Sequence, residues 1–285
     1  MTPHMASDAR LAKLLAHIHA CHSAVLPGAR LPLYAGAHHI GYLFPALARR
    51  LAEVSADVAV REDRVELAET ALPHLNDLAG AVGIPTRAED FDVSETPGGP
   101  VLGVLDRGAL PAFGVIGVGV HLNGIVRRAE GVHLWVATRA ANKKLDPGKL
   151  DHLVAGGVSA GYTPFDALLK ECGEEAALPE ALAREARYIG MFRYDMEREE
   201  GLRRDAIHTY DIDLPESFAP CPVDGEVESF ELWPLAQVAE VLETSDAFKF
   251  NVALVLVDLL IREGVYTGAK AAALQQPASR PTFRR

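Results

Sequence analysis

A glycine-rich segment that leads directly into a capped helix is the part of this sequence that most restricts the possible folds. Three glycines, at positions 156, 157 and 161, allow a tight loop whose backbone can approach a bound group closely. Thr163 is a typical N-cap, Pro164 suits the first helical turn, and Asp166 can bond back to the cap. The segment therefore predicts a loop followed by a helix that begins at residue 164.

The predicted helix carries three glutamates on one face. Glu171, Glu174 and Glu175 follow the spacing i, i+3 and i+4, which places Cβ atoms about 5–6 Å apart on a helix. Like charges repel each other, and carboxylate oxygens are hard ligands that suit Mg²⁺ or Mn²⁺ better than zinc. A solvated acidic surface is the commoner explanation for adjacent glutamates, but it does not account for the glycine loop. We therefore predict a Mg²⁺ or Mn²⁺ site.

The same segment resembles the Nudix box. That box runs Gly, five residues, Glu, seven residues, Arg-Glu, an aliphatic residue, any residue, Glu-Glu, any residue, Gly and an aliphatic residue. The match begins at Gly156 and includes all three helix glutamates, but Tyr162, Lys170 and Ala177 stand where the family has Glu, Arg and Gly. In the family the loop Glu and the box Arg are mainly structural. The changed pair therefore indicates a rewired brace of the loop and a retained metal site.

The resemblance implies a Nudix hydrolase, in which metal-assisted water attacks a phosphorus atom of a diphosphate. Glu171, Glu174 and Glu175 would hold the metal with help from a backbone carbonyl near Gly156, and a carboxylate would take the proton of the water. Whether this base is Glu171 or one of the two glutamates Glu226 and Glu228 stays open.

Further candidate site residues lie outside the box. Glu226 and Glu228 would share one face of a strand, in a region where the family commonly supplies another acidic group. Two ordinary surface glutamates are an equally good explanation. Arg139 and Lys143 follow a predicted core strand, and their side chains could contact phosphate oxygens.

Nearly the whole chain resembles one Nudix subgroup, in segments that include Gly119–Gly124, Leu134–Arg139 and Phe248–Asn251. This subgroup includes the Nudix domain fused to fungal thiamine pyrophosphokinase, and it carries an N-terminal domain of its own. The resemblance implies oxidised thiamine diphosphate analogues as substrates. It also gives His121 and Asn123 a substrate-facing position.

Periodicity along the chain predicts a mixture of helices and strands. Helical spacing of apolar residues predicts a helix over residues 8–22, and β-prone runs predict strands over 113–126 and 132–138. Residues 90–100 are polar and end in Pro-Gly-Gly-Pro, which predicts a loop near a domain boundary.

Helices and strands without strict alternation indicate the α+β class. Together with the resemblance, this predicts a smaller α+β N-terminal domain over residues 1–110. A Nudix α/β/α sandwich is expected over residues 111–268, followed by a flexible tail over 269–285.

The charge balance restricts the possible ligands. The 285 residues include 28 Lys and Arg against 39 Asp and Glu, a net charge of −11, which argues against nucleic-acid binding. An anionic substrate would be repelled unless a metal or local basic residues offset this charge. Three cysteines without a C-x-x-C pair, no signal-like start and no bilayer-length apolar run predict a cytoplasmic protein without membrane contact. A small-molecule diphosphate is the expected partner, and a homodimer is the default assembly.

Two other functions fit parts of the sequence. Arg139 and Lys143 also suit a Nudix-fold isomerase of the isopentenyl diphosphate type, which would need a catalytic cysteine. Cys172 stands at an aliphatic position of the box and does not fill that role. Tyr162 and Ala177 suit a non-catalytic ligand-binding protein, against which the three retained glutamates argue.

Overall fold

The computed structural model describes residues 3–275. The α-helices are α1 (Pro3–Cys21), α2 (Pro45–Val54), α3 (Leu75–Ala81), α4 (Leu110–Phe113), α5 (Pro164–Ala176), α6 (Glu180–Ala183), α7 (Leu235–Thr244), α8 (Val252–Arg262) and α9 (Gly268–Gln275). The strands are β1 (Leu31–Ala35), β2 (His38–Leu43), β3 (Val58–Val60), β4 (Val65–Leu67), β5 (Asp90–Val93), β6 (Gly103–Asp106), β7 (Ile116–Arg128), β8 (Gly131–Arg139), β9 (Leu150–Asp151), β10 (Val154–Gly157), β11 (Arg187–Arg198), β12 (Gly201–Asp213) and β13 (Val227–Pro234). A 3₁₀ helix spans Glu69–His74. Within the described range, no helix is both long and apolar enough to span a bilayer.

The N-terminal unit is built around a small core of its own. Strands β1 to β4 form a sheet in the order β2-β1-β4-β3, and β5 pairs with β6 in a separate antiparallel hairpin. Helix α2 begins at Pro45, which suits a first helical turn, and buries Ala48 and Leu51. Leu33 of the sheet and Phe91 of the hairpin belong to the same core. A smaller α+β unit thus precedes the large sheet.

A seven-stranded mixed sheet forms the centre of the second unit. Its strands follow the order β11-β12-β7-β8-β13, with β10 added to β7 and β9 added to β8. Strands β7 and β12 run parallel, whereas the other pairs are antiparallel. Alternation along β7 buries Val120 and Leu122 on the side of α5 and Ile125 on the side of α8. The predicted α+β class and the α/β/α sandwich are therefore confirmed.

Helix α1 lies before the predicted domain boundary but packs on the large sheet. Its residues Leu14 and Ile18 are fully buried in the cluster that α8 dominates. Lys13 of the same helix donates to Asp246 Oδ2 at 2.7 Å. Because α1 completes the layer formed by α7 and α8, it belongs structurally with the second unit. A division near residue 110 stays a prediction for the rest of the chain.

The end of the described chain is helical where the sequence predicts a flexible tail. Leu274 of α9 is fully buried, and Lys270 forms an ion pair with Glu243 of α7. These contacts supply the tertiary packing that a short helix needs for stability. The tail prediction is therefore wrong for residues 269–275, whereas residues 276–285 lie outside the described residues.

Candidate functional site

The glycine loop and helix α5 form as the sequence predicts. Thr163 Oγ1 accepts from the backbone N–H of Asp166 at 3.1 Å and donates to its Oδ2 at 2.6 Å. Pro164 is the first residue of the helix, and Ala177 ends it in the left-handed conformation, with φ 51°. The box therefore keeps a capped helix with an alanine in a conformation that favours glycine.

Gly156 lets a glutamate of α5 lie directly against the loop backbone. It stands on β10 opposite Val120 of β7. A Cβ atom at this position would lie 2.4 Å from both Cγ and Cδ of Glu171. The side chain of Glu171 is 15% exposed, and burial raises the pKa of its carboxyl. Any larger residue at 156 would displace this carboxylate.

The other two glutamates of the helix already have partners. Glu174 accepts from Lys170 Nζ at 2.6 Å, and the same ammonium lies 3.5 Å from Glu171 Oε1. Glu175 is buried, and its Oε2 accepts from the backbone N–H of Ala155 at 2.9 Å. Burial raises the pKa of Glu175 well above its ordinary value. Among residues 3–275, no three Asp, Glu, His or Cys side chains converge as a ready metal site.

The donor set nevertheless fits a hard divalent cation. Glu171, Glu174 and Gly156 line one cavity, and carboxylate and carbonyl oxygens are the ligands that Mg²⁺ prefers. Because Gly156 has no Cβ, the Glu171 side chain lies directly against the backbone whose carbonyl is the third proposed donor. The Lys170 ammonium contacts two of these carboxylates with a side chain that is 41% exposed, so it can move into solvent.

The cavity beside these glutamates has a volume of about 600 Å³ and opens between the N-terminal unit and the central sheet. This volume falls within the range of small-molecule sites. Nine Lys and Arg side chains line it against six Asp and Glu side chains. A local surplus of positive charge thus exists in a chain whose net charge is −11, and it offers an anionic ligand the offset that it needs.

Glu226 lines this cavity, whereas Glu228 is an exposed residue outside it. The pairing register of β13 shifts between Val227 and Ser229, which places Glu228 in a bulge. Burial alone would raise the pKa of Glu226, but the ammonium of Lys143, which donates to its carboxylate, lowers it. The prediction that Glu226 and Glu228 share a strand face is therefore wrong, because the bulge interrupts the alternation.

Arg139 holds a loop in place. Its buried guanidinium donates to Asp151 Oδ2 at 2.8 Å, and to the carbonyl oxygens of Leu145 at 2.9 Å and Asp146 at 3.1 Å. These bonds fix the loop after β8, which carries Lys143 to the cavity. Three of its N–H groups thus serve the loop, and because Arg139 also lines the cavity, its phosphate contact stays a prediction.

Of the two polar residues selected on β7, only His121 lines the cavity. Asn123 is fully buried, and its Nδ2 donates to Asp211 Oδ1 at 2.8 Å. The ring of His121 packs on that of His152 with centroids 4.5 Å apart, and burial lowers the pKa of His121 well below its ordinary value. The substrate-facing prediction for Asn123 is therefore wrong, and His121 is a neutral candidate contact.

Six basic residues of the cavity were not selected from the sequence, namely Arg87, Arg107, Lys144, Arg203, Arg204 and Lys249. Arg87 and Arg107 come from the N-terminal unit, and Arg203 comes from β12. Burial lowers the pKa of Arg87, and the neighbouring guanidinium groups of Arg107 and Arg203 lower it further. Only Lys249, inside the segment Phe248–Asn251 that resembles the subgroup, had a sequence signal that could have identified it.

Comparisons with known proteins bear on the same part of the chain. A profile of the NUDIX domain matches residues 119–253. Nudix hydrolase 20, a chloroplastic protein of Arabidopsis thaliana, is 42% identical over 203 residues, which are 71% of this chain and 54% of that protein. Nudix hydrolase 24 of the same plant, also chloroplastic, is 39% identical over 206 residues, 71% of this chain and 56% of that protein. A crystal structure from Deinococcus radiodurans is 21% identical and covers 62% of this chain and 99% of its own, with a TM-score of 0.47.

The chain spans about half the length of the curated relatives that it matches. Both relatives are chloroplastic by name, so they give no support to the predicted cytoplasmic location. Neither of their names refers to thiamine. Residues 119–253 of this chain match the NUDIX domain, and two Nudix hydrolases are similar to about 71% of the chain.

Proposed function

We propose that the chain is a Nudix hydrolase that uses Mg²⁺ or Mn²⁺ to cleave a diphosphate linked to an organic moiety. The observation that carries this proposal is the cavity in which Glu171, Glu174 and Glu226 face a surplus of basic side chains. Hydrolysis of a diphosphate needs positive groups that offset the phosphate charge. It also needs carboxylates that hold the metal and accept the proton of the attacking water. One cavity offers both sets of groups beside the Nudix box.

In this proposal the metal would be held by Glu171, Glu174 and Glu175, with the carbonyl oxygen of Gly156. A bound divalent ion would neutralise phosphate charge and lower the pKa of the attacking water. Glu175 also fixes β10 to α5 through its bond to the N–H of Ala155. This bond therefore keeps the carbonyl of Gly156 on β10 at a fixed distance from the glutamates of α5.

The proton of the attacking water requires a carboxylate near the reacting phosphorus. Glu171 and Glu226 both line the cavity and are the two candidates for this role. Lys143 keeps Glu226 ionised, which suits a proton acceptor.

The basic residues would orient the phosphates. Three guanidinium groups line the cavity, those of Arg87, Arg107 and Arg203. One guanidinium can donate two parallel hydrogen bonds to the oxygens of a phosphate. Lys143 adds a point charge beside Glu226. The organic moiety would lie toward Phe91 and Leu110, the apolar residues that the N-terminal unit contributes.

The test is hydrolysis by the purified chain with Mg²⁺ or Mn²⁺ and a panel of diphosphates. The panel includes nucleoside diphosphate sugars, dinucleoside polyphosphates and oxidised thiamine diphosphate, the substrate class that the subgroup resemblance suggests. We expect phosphate or nucleotide release from at least one compound and its loss in Glu175→Gln. Glu185→Gln, which changes an exposed glutamate outside the cavity, is the matched control. No release from any compound, or equal release by wild type and Glu175→Gln, would refute the proposal.

The geometry favours neither alternative function. An isomerase of the isopentenyl diphosphate type needs a reactive thiol, and no cysteine is among the described residues that line the cavity. Cys21 and Cys172 are buried, and burial raises the pKa of each thiol to about 12. A non-catalytic ligand-binding protein would bind panel compounds without cleaving them, which the same experiment measures. The homodimer and the cytoplasmic location stay predictions.

A further inference from the structure

The loop between β10 and α5 forms hydrogen bonds with the N-terminal unit. The backbone N–H of Ala160 donates to the carbonyl oxygen of Asp90 at 2.7 Å. The N–H of Gly161 donates to Oδ2 of Asp92 at 3.2 Å. Strand β5 thus accepts two backbone N–H groups, one at a carbonyl and one at a carboxylate, from a loop that the sequence assigns to another domain.

A side chain next to this strand, Glu89, adds one further contact to the loop and is itself held by Arg107. Ser159 Oγ donates to Glu89 Oε1 at 3.2 Å, and Arg107 Nη1 donates to Glu89 Oε2 at 2.7 Å. A Cβ atom at Gly157 would lie 2.5 Å from Cζ of Phe91, so the ring packs directly on the loop backbone. The buried Phe91 belongs to the core of the N-terminal unit, which makes the loop support part of that core.

Of the three box residues that depart from the family pattern, Tyr162 and Lys170 stand where the family braces the loop, and they contribute little to holding it. The side chain of Tyr162 is exposed, at 46% for the residue. The ammonium of Lys170 contacts Glu174 and Glu171 on its own helix. Contacts that reach the loop from outside the box come from β7, where the carbonyl oxygen of Val118 accepts from the N–H of Val158 at 2.9 Å, and from β5 and Glu89.

The loop joins two groups of the proposed metal site. Gly156 lies at its start, and its end is the first turn of the helix that carries Glu171. Because Gly156 and the Glu171 side chain are already in close contact, a loop shift of about 1 Å would separate or force apart these ligands. The conformation of the loop therefore contributes to the geometry of the site, together with the bond from Ala155 to Glu175.

We propose that β5, with Glu89 and Phe91, positions the metal-binding loop, and that the N-terminal unit is in this way a required part of the Nudix site. The proposal rests on the proposed function, since it concerns the same metal. Glu89 and Phe91 are positioning residues here, acting on the loop through Ser159 and Gly157.

Gly157→Ala tests the proposal by inserting a methyl group between the loop and Phe91. Gly173→Ala is the matched control, because a Cβ on that glycine of α5 would meet open space. We expect Mn²⁺ affinity, measured by electron paramagnetic resonance, to fall about tenfold in Gly157→Ala, the usual effect of losing outer support of a metal site. Hydrogen exchange at the amides of Ala160 and Gly161 should become faster. Both quantities should match wild type in Gly173→Ala.

A second pair of variants keeps the test decisive if Gly157→Ala does not fold. Glu89→Ala removes the acceptor of Ser159, whereas Glu89→Gln retains an oxygen at that position. We expect Glu89→Ala to weaken Mn²⁺ binding and accelerate exchange in the loop, and Glu89→Gln to restore most of both at an equal melting temperature. A purely structural role would change the melting temperature without this difference.

The two proposals fail in different ways. Wild-type protein that binds no Mn²⁺ would overturn the proposed metal site, and with it the positioning role. Wild-type protein that binds Mn²⁺, with Glu89→Ala binding it equally well and its loop amides exchanging at the wild-type rate, would overturn the positioning role alone.

Discussion

Replacing Gly156 by alanine would test the contact on which the proposed metal site depends. The new Cβ would lie 2.4 Å from Cγ and Cδ of Glu171, about 1 Å short of ordinary van der Waals contact. Either the strand yields or the carboxylate leaves its position. Overpacking of a well-filled region costs about 1–3 kcal/mol. Loss of the groups that support a metal ligand costs about 10–100-fold in metal affinity or activity, and a displaced ligand costs at least as much.

Two measurements would separate these outcomes. Thermal unfolding should show a melting temperature lower by roughly 3–10 °C if the strain is retained. Mn²⁺ titration should show at least a tenfold loss of affinity if Glu171 moves away. Gly173→Ala makes the same chemical change in open space, so it should leave the affinity near wild type and raise the melting temperature slightly, because alanine is the better helix former. Wild-type melting temperature and wild-type affinity in Gly156→Ala together would refute the reasoning.

Four further predictions concern single side chains. Glu226→Gln should lower kcat on the best panel substrate about 100-fold or more if Glu226 is the proton acceptor, while Glu228→Gln changes it little, because only Glu226 lines the cavity. Equal rates would contradict this assignment. Burial lowers the pKa of His152 from 6.5 to about 4, so the unfolded chain binds a proton that the folded chain excludes between these values. The free energy of unfolding should therefore fall by about 3 kcal/mol as the pH drops from 7 to 4, and His152→Leu should reduce that slope in denaturant titrations; an unchanged slope would show that His152 does not contribute. Ala177→Gly should raise the stability by about 0.5–1 kcal/mol in the same titrations, because φ is 51° at this helix end, and a loss of stability would argue against strain there. Arg87→Gln should raise KM about tenfold with little change in kcat, as expected for one lost charge-assisted hydrogen bond, and an unchanged KM would remove Arg87 from the phosphate contacts.

Local chemistry in the sequence predicts the box helix well. The cap Thr163 and its partner Asp166 are three residues apart, so their bond can be read without knowing the fold. The glutamates of α5 follow from helical spacing in the same way, and Gly156 was selected together with them. The contacts of these residues could not be predicted from the sequence, because Gly156 and Glu171 meet only through the packing of α5 on β10.

Residues that depend on distant pairing were missed or misplaced. Asp90–Val93 is predicted as part of a polar loop, yet it forms β5 because Gly103–Asp106 pairs with it and the box loop bonds to its other side. Alternation placed Glu226 and Glu228 together, and a bulge that no local pattern announces separates them. Arg87 reaches the cavity only because the N-terminal unit packs beside the sheet.

The packing of α1 has a consequence for how the chain folds. Lys13 bonds to Asp246, 233 residues away, and Cys21 Sγ donates to the carbonyl oxygen of Phe250, 229 residues away. Closing so long a loop delays the contact until late in folding, since long-range contacts slow the reaction. During synthesis the apolar face of α1, with Leu14 and Ile18, leaves the ribosome long before its partner helices exist. The nascent chain thus exposes this apolar face until α7 and α8 have been synthesised, an interval in which exposed apolar surface favours aggregation.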